Sequence, residues 1–386
     1  MRAPNVTIVP DFRYSPPHEG VRDNINVIVD SFATLEAFDA LELRWRELYA
    51  ADSRAHFFLS WEWIRACLAT QPTPWLVLGA RHPGGPYLGF LALNYGRFPA
   101  IGPAVNRELS LAGMPRADYT GILVSGGAER EVVAAIARHI DSLSWDNFTL
   151  NDWADDRIAM LVEELSSAAR YSVAARGTTP SPYIKLPSTW EAYVDGLSHA
   201  TRRTIRAKLR KVEALPDYRL TWSPPGEPAA AISLLLDMNC TRWKKARAKR
   251  DRLFGELFRR CSAAGRFLIG TIHAEGKLLA AQGTFIEPHS KTLLGYMMGF
   301  NPEYSRLSPG IMLVASSIRY GIANGFRRYD LARGGEGFKL SLCTDVDHTQ
   351  HVTLTRRGFR TAAVNAGRHG VFAAKGIARS MLGRSA

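Results

Sequence analysis

The stretch YDLARGGEGFKLSL, residues 329–342, begins as a strand and then stops obeying strand rules. An aromatic and an apolar residue flank Asp330, and then Gly334, Gly335 and Gly337 fall within four positions, with Glu336 between them and Lys339 just beyond. Glycine loses more backbone freedom on folding than any other residue, so such a cluster marks a sharp turn or a close approach to something else. Immediately upstream lies NPEYSRLSPGIMLVASSIRYGIANG, residues 301–325. Ser308 is an expected N-cap and Pro309 suits the first helical position, which predicts a helix over 309–323. Its free N–H groups and positive dipole end would suit a pyrophosphate or a nucleotide phosphate, with Gly310 allowing close approach and Arg306 available to pair with it. KTLLGYMMGF (291–300) before this helix and RRYDLA (327–332) after it read as strands. Strand, helix, strand with an anion site at the helix start is an arrangement suited to a phosphate-bearing ligand.

Working outward, RFLIGTIHAEGKLLAAQGTFIEPHSKTLLGYMMGF (266–300) reads as three strands joined by short Gly and polar turns. Helices are expected over TWEAYVDGLS, SHATRRTIRAKLRKVEAL and PAAAISLLLDMNCTRWKKA, with YRLTWSP a strand between the last two. The first half repeats the theme. Phe38, Leu41, Trp45 and Leu48 recur at helical spacing within residues 34–51, and Ser60 is placed to cap a second helix. PWLVLGARHPGGPYLGFLALNYG is strand, turn, strand. Further strands are expected near 107–112, 120–124 and 146–150, with a helix at 128–143. The fold class is therefore α/β with mixed sheets. ARGTTPSPYIKLPST, residues 175–189, reads as the joint between two domain-sized halves. A structural duplication is open, but no sequence repeat proves it.

A chain of 386 residues exceeds one hydrophobic core, so two domains are expected. Cys67, Cys240, Cys261 and Cys343 show no metal-ligand spacing and no disulfide framework, and a reducing cytoplasmic setting follows. No apolar run is long enough to span a bilayer, and residues 1–29 read as a flexible arm. His348 and His351 lie three apart on strand-like sequence and face opposite ways, so no metal is assigned. The net charge of +13 favours a polyanionic partner. The charge gathers in Arg202, Arg203, Arg206, Lys208, Arg210 and Lys211, and again in Lys244, Lys245, Arg247, Lys249 and Arg250. The tail after Arg360 mixes Val371, Phe372, Ile377, Met381 and Leu382 with four cations, which leaves a disordered tail and a weak anchor on an anionic membrane both open.

The SPG helix start followed by YDLARGGEGFK resembles the C-terminal half of GNAT-superfamily acyltransferases, and more closely the Fem-like bacterial group often labelled cellulose-biosynthesis-associated. FFLSWEWI (57–64), SPYIKLPSTWEAYVDGLSHATRRTIRAKLRK (181–211) and AAQGTFI (280–286) carry the resemblance further, over roughly residues 30–355 in order. It implies tandem GNAT-like domains at 30–178 and 179–362, the second holding the acyl-donor site, between the arm and a basic tail at 363–386. It implies an N-acyltransferase with acyl-CoA as co-substrate and an amine acceptor, and it permits a lipid amine; the +13 charge and the mixed tail point to peripheral contact with an anionic membrane, where a sphingoid-type amino lipid is the preferred acceptor. Asp330, Glu336 and Lys339 are the expected catalytic groups, because acyl transfer to an amine needs a polarised carbonyl and a place for one proton. Arg306, Ser308, Pro309 and Gly310 are expected to bind the coenzyme. Trp61, Arg202, Arg203, Arg206, Tyr296, Gly334 and Gly335 are expected to bind substrate. Met297, Met298, Phe300, Leu307 and Met312 are candidates for lining an acyl channel or for ordinary core. The chain departs from the group at Asn239, where a histidine is expected, and SRLSPG differs from the usual coenzyme loop. A Fem-type transferase using aminoacyl-tRNA, and a non-catalytic exopolysaccharide-assembly protein on the same scaffold, remain alternatives.

Overall fold

The computed structural model describes residues 5–6, 26–99, 105–167, 169–223, 229–243 and 247–366. Lys244, Lys245 and the tail after 366 lie outside the described residues, as do most of the N-terminal arm and the side chains of Trp243, Lys249 and Arg250. The described chain divides into two units. Residues 26–64, 71–178 and 350–366 form the first, and 65–70 with 179–349 form the second. Residues 350–362, placed by sequence in the C-terminal domain, group with the first unit because Gln350–Thr355 pair antiparallel with Asn147–Trp153.

In the first unit, strands Ile28–Phe32, Trp75–Arg81, Tyr87–Pro99 and Val105–Leu111 follow one another antiparallel. Asn147–Trp153 then joins parallel to Val105–Leu111, in the register Glu108↔Asn147 to Ser110↔Thr149. The parallel pair requires a crossover, and the helix Glu129–Ser142 supplies it. Val132, Val133, Ile136 and Ile140 recur at three- and four-residue spacing and are fully buried, while Glu129 and Glu131 sit in the first turn, where the helix dipole favours acids. Each such aliphatic side chain contributes about 1.5–3 kcal/mol by leaving water. The expected single helix over 34–51 is two, Leu35–Asp39 and Glu42–Ala51. Thr34 caps the first by accepting from the Ala37 N–H, and Ala40 ends it.

The second unit repeats this order. Arg219–Trp222, Phe267–Ala274, Lys277–Glu287 and Thr292–Phe300 are successive antiparallel strands, and Arg328–Asp330 joins parallel to Thr292–Leu294. The crossover is the helix Pro309–Ala323. In both halves of the chain a run of helices follows the first of these strands: Leu35–Asp39, Glu42–Ala51 and Trp61–Thr70 after Ile28–Phe32, and Ala229–Trp243, Arg247–Arg250 and Glu256–Ala263 after Arg219–Trp222. In both, the strand beyond the parallel pair comes from elsewhere in the chain: Gln350–Thr355 in the first, Tyr183–Lys185 in the second. The duplication is one of topology, which sequence comparison alone does not reveal.

The joint expected at 175–189 is mostly strand, Tyr171–Lys185, rather than linker. Its Thr, Pro and Ser content suggested a loop, but a proline in a strand loses a donor and keeps its acceptor. The Pro180 and Pro182 carbonyls accept from Gly334 N–H (2.8 Å) and Leu331 N–H (3.0 Å). No helix among the described residues is long and apolar enough to cross a membrane.

Candidate active site

The helices of the second unit cover opposite faces of its sheet. Gln282 and Tyr329 face Pro309–Ala323, whereas Gly283 and Phe285 face Ala229–Trp243 and Glu256–Ala263. The strand Thr292–Phe300 runs between them. Arg328–Asp330 pairs with its first three residues, Thr292 to Leu294, and among the described residues no strand pairs with that edge from Gly295 to Phe300. On the other edge the register shifts between Gly283↔Met297 and Thr284↔Gly295, which leaves Tyr296 as the extra residue of a β-bulge. A bulge bends its strand and re-aims the groups that follow it. The second unit therefore holds a crevice where two parallel strands part, beside the start of a fifteen-residue helix.

That helix start departs from the expected cap. Ser308 is left-handed (φ 53°) and its side chain caps nothing. Its hydroxyl instead accepts from Lys208 Nζ, reaching over from the helix His199–Glu213. No acid lies in the first turn. An ammonium beside the positive end of a helix is electrostatically unfavourable unless an anion joins them. Arg306, exposed on the preceding 3₁₀ turn Pro302–Leu307, adds a further cation. Gly310 packs on Met298, whose sulfur a methyl group there would approach to 2.9 Å.

Under the same helix, Gln282 donates to the Tyr329 hydroxyl (2.7 Å) and accepts from Ser317 (3.1 Å). Burial pushes the Tyr329 phenol up to about 12, so it remains a neutral hydroxyl. A methyl group at Gly295 would lie 2.7 Å from that oxygen and 2.8 Å from Gln282 Nε2, so this polar cluster meets the strand where the crevice opens.

The glycine-rich stretch is a turn leading into the short helix Gly337–Leu342. Ala332 (φ 61°) and Gly334 (φ 118°) make the left-handed turn. Asp330 is buried and accepts from the Ala332 N–H (2.8 Å) and from Arg328 (3.2 Å). Lys339 donates to the Arg333 carbonyl (2.7 Å) and pairs with Glu336 (3.1 Å). Asp330 thus fastens the entry to the loop and Lys339 its exit, while the Glu336 carboxylate stays more than half exposed. Gly335 lies against Pro180.

The remaining expected substrate residues are dispersed. Trp61 belongs to the first unit and stacks on Phe38 (4.4 Å) in a buried aromatic cluster. Arg202 donates to the Asp195 and Leu197 carbonyls and pairs with the Asp195 carboxylate, which Arg206 also meets at 3.3 Å. Both fasten the end of helix Trp190–Gly196. Arg203 is exposed. Tyr296 contributes to the crevice through its backbone, with its ring against Phe254, Phe258 and Phe285. Met312 lies in the core, and Met298, Phe300 and Leu307 pack against it. Lys208 was legible only as one more cation in a run, and its role depends on a partner a hundred residues away.

Residues 199–340 match the family model described as Acetyltransferase (GNAT) domain. No curated protein matches the chain. Among solved structures, FemX superposes at TM-score 0.54 with 10% identity, over 84% of this chain and 96% of FemX. A conserved protein of unknown function from Bacteroides thetaiotaomicron gives 0.53 with 14% identity, over 86% of this chain and 100% of that one. Residues 199–340 thus match a GNAT domain, in a chain that shares its fold with FemX.

Proposed function

We propose that the second unit is an N-acyltransferase that takes its acyl group from acyl-CoA and delivers it to a primary amine. The observation that carries this is the junction of three features: the edge of Gly295–Phe300 along which no strand pairs among the described residues, the bulge at Tyr296, and an acid-free helix start with Lys208 bound to Ser308. The helix N-terminus with Arg306, Lys208, Ser308, Pro309 and Gly310 takes the pyrophosphate. The strand edge offers backbone donors and acceptors to the amide-bearing arm, as an edge strand does for any extended ligand. Attack by the amine nitrogen on the thioester carbonyl forms C–N and breaks C–S, with the thiolate leaving. One proton must leave the amine, and Glu336, the exposed carboxylate of the loop, is the assigned base. Asp330 and Lys339 are assigned to hold that loop.

The acceptor we favour is an amine at an anionic surface, such as a sphingoid-type lipid. The net charge of +13 supports this, since each basic residue near such a surface contributes about 1 kcal/mol. Calorimetry with acyl-CoAs from acetyl to long chain tests the donor, and failure of every one to bind removes it. A second reading, transfer from aminoacyl-tRNA, draws on the exposed Arg203, Arg206, Arg210 and Lys211 of one helix. Co-purifying tRNA, released steeply as salt rises, would favour it.

A further inference from the structure

Asn239, on the helix Ala229–Trp243, is buried to 4% exposure. Its Nδ2 donates to the Met298 carbonyl at 3.0 Å. The direction of that carbonyl follows from strand alternation. Asn301 gives its N–H to Leu279 on the neighbouring strand, and backbone groups point to alternate sides along a strand, so the Met298 carbonyl points to the opposite, unpaired edge. Asn239 therefore reaches into the crevice. The helix is held there at close range, since a Cβ on Gly299 would fall 2.3 Å from the Met238 carbonyl carbon and 2.5 Å from the Asn239 nitrogen.

One Nδ2 hydrogen bond to the Met298 carbonyl fixes which end of the amide is nitrogen and which is oxygen. Among the described residues that Oδ1 is buried with no hydrogen-bond partner. Buried polar atoms are almost always paired, and leaving one unpaired is costly. An oxygen with free lone pairs calls for an N–H or O–H donor from a ligand. The face decides which ligand. The helix start assigned to the phosphates lies on one side of the sheet, and Asn239 lies on the other.

We propose that Asn239 receives the N–H of the acceptor amine through Oδ1 and holds its nitrogen at the open edge of Thr292–Phe300. This deepens the acyltransferase reading and rests on it. The side chain is a hydrogen-bond acceptor here and takes no proton, in contrast to a histidine at the same position.

The test uses two ligands on the full chain: acetyl-CoA, and a bisubstrate analogue in which coenzyme A sulfur carries CH2–CO–NH–octyl, placing an N–H where the acceptor nitrogen would lie. The variants are Asn239→Leu, which keeps volume and removes the oxygen, and Asn239→Asp, which keeps an acceptor oxygen. Asn239→Leu is expected to weaken the bisubstrate analogue at least tenfold and leave acetyl-CoA within twofold, with Asn239→Asp retaining most of the analogue's affinity. Unchanged acetyl-CoA binding also shows that the site has folded. Equal losses for both ligands, or no loss for either, overturn the placement while the acyl-CoA reading stands. A parent protein that binds neither ligand overturns the acyl-CoA reading and this placement with it.

Discussion

The two units share one topology and use its central crevice in opposite ways. In the first, Val105–Leu111 and Asn147–Trp153 part after three paired residues, and the chain fills the opening itself. Thr120 bridges to Trp153, giving its N–H to the Asp152 carbonyl (2.8 Å) and its hydroxyl to the Asn151 carbonyl (2.6 Å). That segment is fastened from below by the buried Arg157, which binds Asp52 and Asp155 at 2.6 Å each, while Asp52 also accepts the Val124 N–H. The crossover helix carries Glu129 and Glu131 in its first turn, so its positive end is already answered. In the second unit no strand among the described residues pairs with the corresponding edge, and the corresponding helix start has cations beside it and no acid. The difference teaches that a GNAT-like topology is not itself a binding site. The proposed site is placed where no strand of the described chain covers the edge and no acid answers the helix end.

The sharpest way to break this comparison is to unlock the first unit. Arg157→Leu leaves the buried Asp52 carboxylate without its cation and Asp155 with only Arg54 at 3.7 Å, and should cost about 3–5 kcal/mol in first-unit stability. Urea melts followed by tryptophan fluorescence would measure it. A loss under 1 kcal/mol would show that the plug does not depend on this cluster.

Next in size is a pH effect. His56 is enclosed against Phe58 and Tyr119, and burial lowers its pKa to about 4, with Asp155 opposing the shift. In the unfolded chain it titrates near 6.5. Between those values the unfolded state binds the extra proton, so stability falls as pH drops from about 7 to about 4, by on the order of 3 kcal/mol, and this contribution is level below that. His56→Leu should remove that part of the slope. Parallel melts of parent and variant at pH 7.5 and 4.5 decide it, and equal slopes would refute it.

In the second unit, Lys208→Ala should weaken acyl-CoA binding about tenfold, equivalent to about 1.4 kcal/mol, and flatten its salt dependence. Affinity unchanged at low salt would remove Lys208 from the phosphate site. The smallest effect sharpens the contrast between helix starts. Glu129→Gln with Glu131→Gln should cost the first unit about 0.3–1 kcal/mol through the dipole, and leave acyl-CoA affinity within twofold. A change in affinity would mean that the first unit takes part in donor binding.

The sequence by itself determined the mixed α/β class and the helix at Pro309–Ala323, because 3.6- and 2-residue apolar periods and a Ser-Pro-Gly start are local signals. It also singled out the glycine turn, since Gly334 must take a left-handed φ wherever the chain lies. What those residues do was settled by partners distant in the chain. Ser308 was read as a cap, yet tertiary contact gives its hydroxyl to Lys208. Trp61 was read as a ligand contact, yet an aromatic cluster claims it. Pro180 and Pro182 looked like linker until Leu331 and Gly334 supplied donors to their carbonyls. Asn239 registered only as a departure from a family pattern, and its proposed role came from the Met298 carbonyl that accepts its Nδ2 and from the Oδ1 left without a partner among the described residues. Local signals report how a backbone segment satisfies itself. The open strand edge and the unpaired oxygen are defined by what the rest of the chain leaves unsatisfied, and only the folded arrangement contains that information.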